Sequence, residues 1–91
     1  MIFDVDPFDL IPTHRLMMSP RAFSRFKEMV RSDGRIRMPV KYVEYQGSKY
    51  IVDGHHRIRA AKELGFATIP AERVELPFQG YRVIEDLFHG G

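Results

Sequence analysis

The stretch Tyr50-Ile51-Val52-Asp53-Gly54-His55-His56-Arg57, continued by Ile58 to Gly65, decides how this 91-residue chain is read. Lys49-Tyr50-Ile51-Val52 is short and mostly apolar, which fits a strand with neighbours on both sides. Ile58, Ala61 and Leu64 then recur at helical spacing, and Gly65 can close the helix in a left-handed conformation. A strand therefore runs into a helix, with Asp53-Gly54 as the junction. A helix start leaves backbone N–H groups unpaired and gathers partial positive charge. Gly54 lets the backbone turn sharply and come close to a ligand. Such a junction suits an anion, phosphate above all.

Working upstream, Pro39 to Tyr45 alternates apolar and polar residues, and Gln46-Gly47-Ser48 is turn chemistry, so a hairpin is predicted. Before it, Ser19 is an N-cap, Pro20 fits the first helical position, and Ser32-Asp33-Gly34 ends the helix. Phe23, Phe26, Met29 and Val30 form its expected apolar stripe. A short edge strand is predicted around Asp9-Leu10-Ile11, since Pro7 and Pro12 forbid a long central one. Downstream, Ala71 to Leu76 reads as a strand, Pro77-Phe78-Gln79-Gly80 as a turn and Tyr81 to Phe88 as a short last helix. His89-Gly90-Gly91 is expected to fray. The expected organisation is one domain over residues 1–91, with its core at 9–76 and a C-terminal helical extension at 81–88.

Composition removes several classes. With no cysteine, a disulfide framework, a zinc ribbon and a cysteine nucleophile are excluded. No apolar run is long enough to span a bilayer, so no membrane partner is expected. The N-terminus lacks the basic region of a secretory signal peptide. The net charge is only +2. A basic face could meet nucleic acid or a phosphorylated ligand, and a mixed solvated surface accounts for the charge equally well.

The candidate catalytic residues are Asp53, His55, His56 and Arg57, with His14 as a second acid or base if its loop joins the site. Histidine titrates near neutrality and suits proton transfer. Metal ligation with Asp53 is ranked below it, because adjacent histidines are a poor bidentate pair on a helix. The alternative without chemistry is that Asp53 caps the helix and the histidines are polar residues at its mouth. Candidate phosphate-binding residues are Gly54, Arg57, Arg59 and Arg21, with Arg57 supplying a bidentate fork. Arg35, Arg37 and Lys41 form a small basic run suited to a nucleic-acid backbone, or simply to solvent.

Ile11-Pro12, Ser19-Pro20-Arg21, Asp33-Gly34-Arg35-Ile36, Pro39-Val40, Tyr50 to Arg57, Ala60-Ala61, Leu64-Gly65 and Ile69-Pro70 together resemble the ParB/sulfiredoxin superfamily from about Ile11 to Leu76. The resemblance implies a compact α/β (α+β) domain with a small mixed sheet flanked by helices. Sulfiredoxins carry a cysteine in the Gly54 loop, and none is present here. Chromosome-partitioning ParB proteins carry Gly-Glu-Arg-Arg, with Glu and Arg where His55 and His56 stand. The related free serine kinases share a histidine-rich loop, but their catalytic glutamate lies upstream, and here no glutamate precedes Glu28.

The flanks Asp6 to His14 and Leu76 to Arg82 resemble ParB-like domains of bacterial polymorphic toxins. That resemblance implies a DNase effector acting in a target-cell cytoplasm. It would be delivered within a larger secreted carrier protein and neutralised by a cognate immunity protein. The leading expectation is thus a nuclease whose Gly54 loop holds a DNA phosphate, with a divalent metal such as Mg as a candidate cofactor. Next comes a nucleotide-dependent enzyme or switch binding ATP, ADP or CTP at the same loop. A non-catalytic DNA-binding module is third.

Overall fold

Ser19 opens the first helix as its sequence predicts: its Oγ accepts from the Ala22 N–H at 3.2 Å, and Pro20 follows at the first helical position. Gly34 closes the helix at φ 74°, donating to the carbonyls of Val30 and Arg31. The computed structural model describes residues 1–15 and 17–89, with nothing said of the His89 side chain, so the expected fraying of Gly90-Gly91 lies outside the described residues. In chain order the elements are β1 (Ile2–Val5), a 3-10 turn (Pro7–Asp9), β2 (Leu10–Ile11), α1 (Pro20–Asp33) and β3 (Val40–Tyr45). They continue with β4 (Ser48–Asp53), α2 (His55–Leu64), β5 (Ile69–Arg73) and α3 (Asp86–His89).

The five strands form one mixed sheet in the order β1-β5-β3-β4-β2. β3 and β4 are the predicted antiparallel hairpin, turning through Gln46 and Gly47, both at positive φ. β5 lies parallel to β3, and β2 parallel to β4. α1 and α2 cover one face. There Phe23, Val30, Ile58, Ala60 and Ala61 pack on Val40, Tyr42, Ile51, Ile69 and Ala71. The other face carries a second, smaller cluster, in which Val43 and Val52 pack under Tyr81 and Leu87 of the C-terminal segment. Among the described residues, no helix is long and apolar enough to cross a membrane.

Several expectations need correction. Ile2–Val5 is an additional strand, antiparallel to β5, and the predicted Asp9 strand narrows to Leu10–Ile11 because Asp9 belongs to the 3-10 turn. The strand expected at Ala71 to Leu76 is shifted to Ile69–Arg73. Pro70 is tolerated there because pairing with β3 begins only at Ala71, which leaves one side of Pro70 without a ladder partner. The helix expected over 81–88 is reduced to Asp86–His89, since Tyr81 instead forms a bridge with Phe78 and ties this stretch down as a turn. Met29 is exposed, because its position turns it off the face centred on Phe23, Phe26 and Val30.

Candidate functional site

β4 ends at Asp53, and α2 begins with Gly54 as its N-cap at φ 100°. A Cβ on Gly54 would lie 2.6 Å from Val40 Cγ1, so both the conformation and the contact with β3 require glycine. No side chain caps this helix. The first intrahelical donor is the Ile58 N–H, to the Gly54 carbonyl at 3.0 Å. The N–H groups of His55, His56 and Arg57 therefore have no intrahelical acceptor. Asp53 is not the cap: its Oδ2 is 3.2 Å from Arg57 Nη2 and forms an ion pair there.

The helix mouth opens on a cavity of about 350 Å³ lined by His14, Met18, Phe26, Asp53, His56 and Arg57, among others. Asp53, Gly54, His55, His56, Arg57 and His14 are thus brought together as the sequence suggests. The detail differs from expectation. Arg57 donates from Nη1 to the carbonyls of Met38 (2.8 Å) and Pro39 (3.2 Å) besides pairing with Asp53. It braces the loop entering β3 against the helix start.

The histidines have different environments. His55 is buried, and its Nε2 accepts from the Thr13 N–H at 3.1 Å. Burial, then the neighbouring His14 and His56, pushes its pKa down to about 4, so the ring is neutral at physiological pH. His56 is also held below the usual histidine range, by burial first and then by His14 and Arg59. Its Nε2 is buried and has no hydrogen-bond partner among the described residues. His14 is exposed and stacks on His55 with ring centroids 3.8 Å apart. Its Nδ1 lies 2.7 Å from the Arg15 carbonyl. A carbonyl only accepts, so Nδ1 carries a proton, and Nε2 is the ring nitrogen left free to face the cavity.

The remaining candidates lie elsewhere. Arg59 pairs with Glu63 and sits over the Phe23 ring; it lines a neighbouring cavity of about 230 Å³, not the larger one. Arg21 is exposed on the first turn of α1 and does not line the larger cavity. The run Arg35-Arg37-Lys41 is split. Arg35 and Arg37 flank α1, with Arg37 3.4 Å from Asp33, whereas Lys41 sits over Phe78 on the face covered by the C-terminal segment. No group of three or more His, Asp or Glu side chains suited to a metal ion occurs among the described residues. Thr13 and Tyr81 were not candidates. Thr13 beside His14 was the only hint, and Tyr81 gives no local signal.

No protein-family model matches the sequence. The chain is 38% identical over 73 residues to an ATP-dependent L-serine kinase of Staphylothermus marinus, covering 78% of this chain but 27% of that protein. A free serine kinase in complex with AMP superposes with a TM-score of 0.70 at 24% identity, over 81% of this chain and 31% of the other. ParB from Caulobacter crescentus complexed with CTP-gamma-S gives 0.74 at 19% identity, over 97% of this chain and 48% of the other. Sulfiredoxin from Arabidopsis thaliana gives 0.68 at 21% identity, over 82% of this chain and 85% of the other. The chain thus spans about a quarter of the curated kinase, and nearly the whole of the sulfiredoxin. With its five-stranded mixed sheet flanked by helices, this chain has the ParB/sulfiredoxin fold.

Proposed function

We propose that this domain binds a nucleotide through its phosphates at the Gly54 loop and supports phosphoryl transfer to a hydroxyl acceptor. The observation that carries the reading is the uncapped N-terminus of α2, which opens on a cavity walled by His14, His56 and Asp53. Three backbone N–H groups and the helix dipole favour a phosphate there. The unpartnered Nε2 of His56 offers one more polar contact. His14 Nε2 is the group suited to take the acceptor's proton, while buried His55 supports it. A magnesium ion travelling with the nucleotide would be held mainly by its phosphates, with Asp53 the carboxylate lining the cavity.

Relatives that use or hold nucleotides support this order: the ATP-dependent serine kinase, the AMP complex and the CTP-gamma-S complex. The expectation that put DNA hydrolysis first and nucleotide chemistry second is therefore reversed. The divided basic run also weakens a continuous DNA track, because Lys41 and Arg35 fall on different faces. His14, which lines the cavity, fits the need for a base.

Calorimetry with ATP, ADP and CTP, beside a phosphoryl-transfer assay with L-serine and a plasmid-cleavage arm, tests the reading. Nucleotide binding should survive His14→Ala, while transfer falls by about a hundredfold or more. Plasmid cleavage without nucleotide binding would restore the nuclease reading.

A further inference from the structure

One buried polar chain near the site is not accounted for by phosphate binding. Thr13 and His55 are the buried polar side chains among the described residues. Thr13 Oγ1 is 2.6 Å from the Ile51 carbonyl and 2.6 Å from the Tyr81 hydroxyl. The His55 Nε2 lies 3.1 Å from Thr13 N and 3.2 Å from Thr13 Oγ1. These partners fix where the protons sit. The Ile51 carbonyl has only lone pairs, so the Thr13 hydroxyl donates to it. That hydroxyl has no second proton, so Tyr81 donates to Thr13. The Thr13 N–H donates to His55 Nε2, which must then present a lone pair, leaving the ring proton on Nδ1.

We propose that Thr13 and Tyr81 are positioning residues of the site, which hold His55 as its Nδ1–H tautomer and thereby seat the His14 ring stacked against it. Thr13 immediately precedes His14, so the same contacts fix the backbone that carries His14. Neither Thr13 nor Tyr81 lines the phosphate cavity. The C-terminal segment that covers the second face of the sheet therefore shapes the site through Tyr81 without touching ligand. Acid–base work falls to His14, because the one lone pair of the neutral His55 ring is already used. This catalytic consequence rests on the phosphoryl-transfer reading; the tautomer does not.

The test compares the parent with Tyr81→Phe, Thr13→Val and Thr13→Ser. Long-range proton–nitrogen NMR of the imidazoles, at neutral pH and without ligand, reports the tautomer directly. The parent and Thr13→Ser should show His55 protonated at Nδ1. Tyr81→Phe removes the hydroxyl that anchors Thr13, so the Thr13 N–H to Nε2 contact loosens and its His55 should populate both tautomers. Thr13→Val removes the hydroxyl and should also disturb the ring signals. In the transfer assay, Tyr81→Phe and Thr13→Val should lower kcat by about tenfold or more with nucleotide KM within about twofold, and Thr13→Ser should restore it. An Nε2–H parent overturns the proposal. So does a Tyr81→Phe protein that melts earlier yet keeps both the His55 spectrum and kcat. If the spectra change as stated and no variant or parent uses nucleotide, phosphoryl transfer is refuted and the tautomer assignment stands.

Discussion

Acidification should destabilise this domain through His55 before most of its carboxylates titrate. The buried ring accepts a hydrogen bond from the Thr13 N–H, and protonating Nε2 would set one donor against another. Its pKa in the fold is about 4, against 6.5 for an unperturbed ring. The unfolded chain therefore binds more protons between those values. Stability from this group is fully present above pH 6.5, falls as the pH drops towards 4, and levels off below that. The full difference corresponds to about 3 kcal/mol, of which about 2.5 kcal/mol should be gone by roughly pH 4.5. For a domain of this size that lowers Tm by on the order of 10–20 °C.

The assay is urea denaturation at a series of pH values, for the parent and for His55→Gln, whose amide oxygen can accept the Thr13 N–H without titrating. Glu28, held low by hydrogen bonding to Arg31, and Glu63, held low by Lys27 and Arg59, titrate alike in both proteins and cancel in the difference. Parallel stability curves between pH 7 and 4.5, or an NMR titration of His55 centred near 6.5, would refute the reasoning.

Three further outcomes follow from the packing. Gly54→Ala should destabilise the domain by about 2–4 kcal/mol and abolish phosphate binding, because the new Cβ meets Val40 in a left-handed backbone; chemical denaturation and calorimetry measure both. Arg57→Ala should cost about 1–3 kcal/mol by freeing the Met38 and Pro39 carbonyls, and unchanged stability would show that the brace is dispensable. Ser19→Ala should cost about 1 kcal/mol through loss of the α1 cap, with no change in nucleotide affinity.

Much of the scaffold was legible in the sequence because its signals are local. Ser19-Pro20 and Gly34 bound α1 through contacts only three or four residues away, and Gln46-Gly47 sets the hairpin. β1 was not legible: four residues beside Pro7 carry too little pattern, and the strand exists only because β5 offers it a partner. The C-terminal helix was overestimated for the related reason that Tyr81 is drawn into a bridge and towards Thr13.

The site divides along the same line. The sequence by itself determined a strand–Gly54–helix junction with Asp53, His55, His56 and Arg57 clustered at the mouth of the helix. Only the tertiary structure decided what each side chain does there. Arg57 is drawn to the carboxylate of Asp53 and to carbonyls of the β3 approach. His55 is neutralised by burial and by Thr13, 42 positions away, and Thr13 is held by Tyr81, 68 positions from it. Helix and turn propensities act over a few neighbouring residues. Burial, proton placement and hydrogen-bond partners depend on which distant segments the packed sheet and its two covered faces bring together.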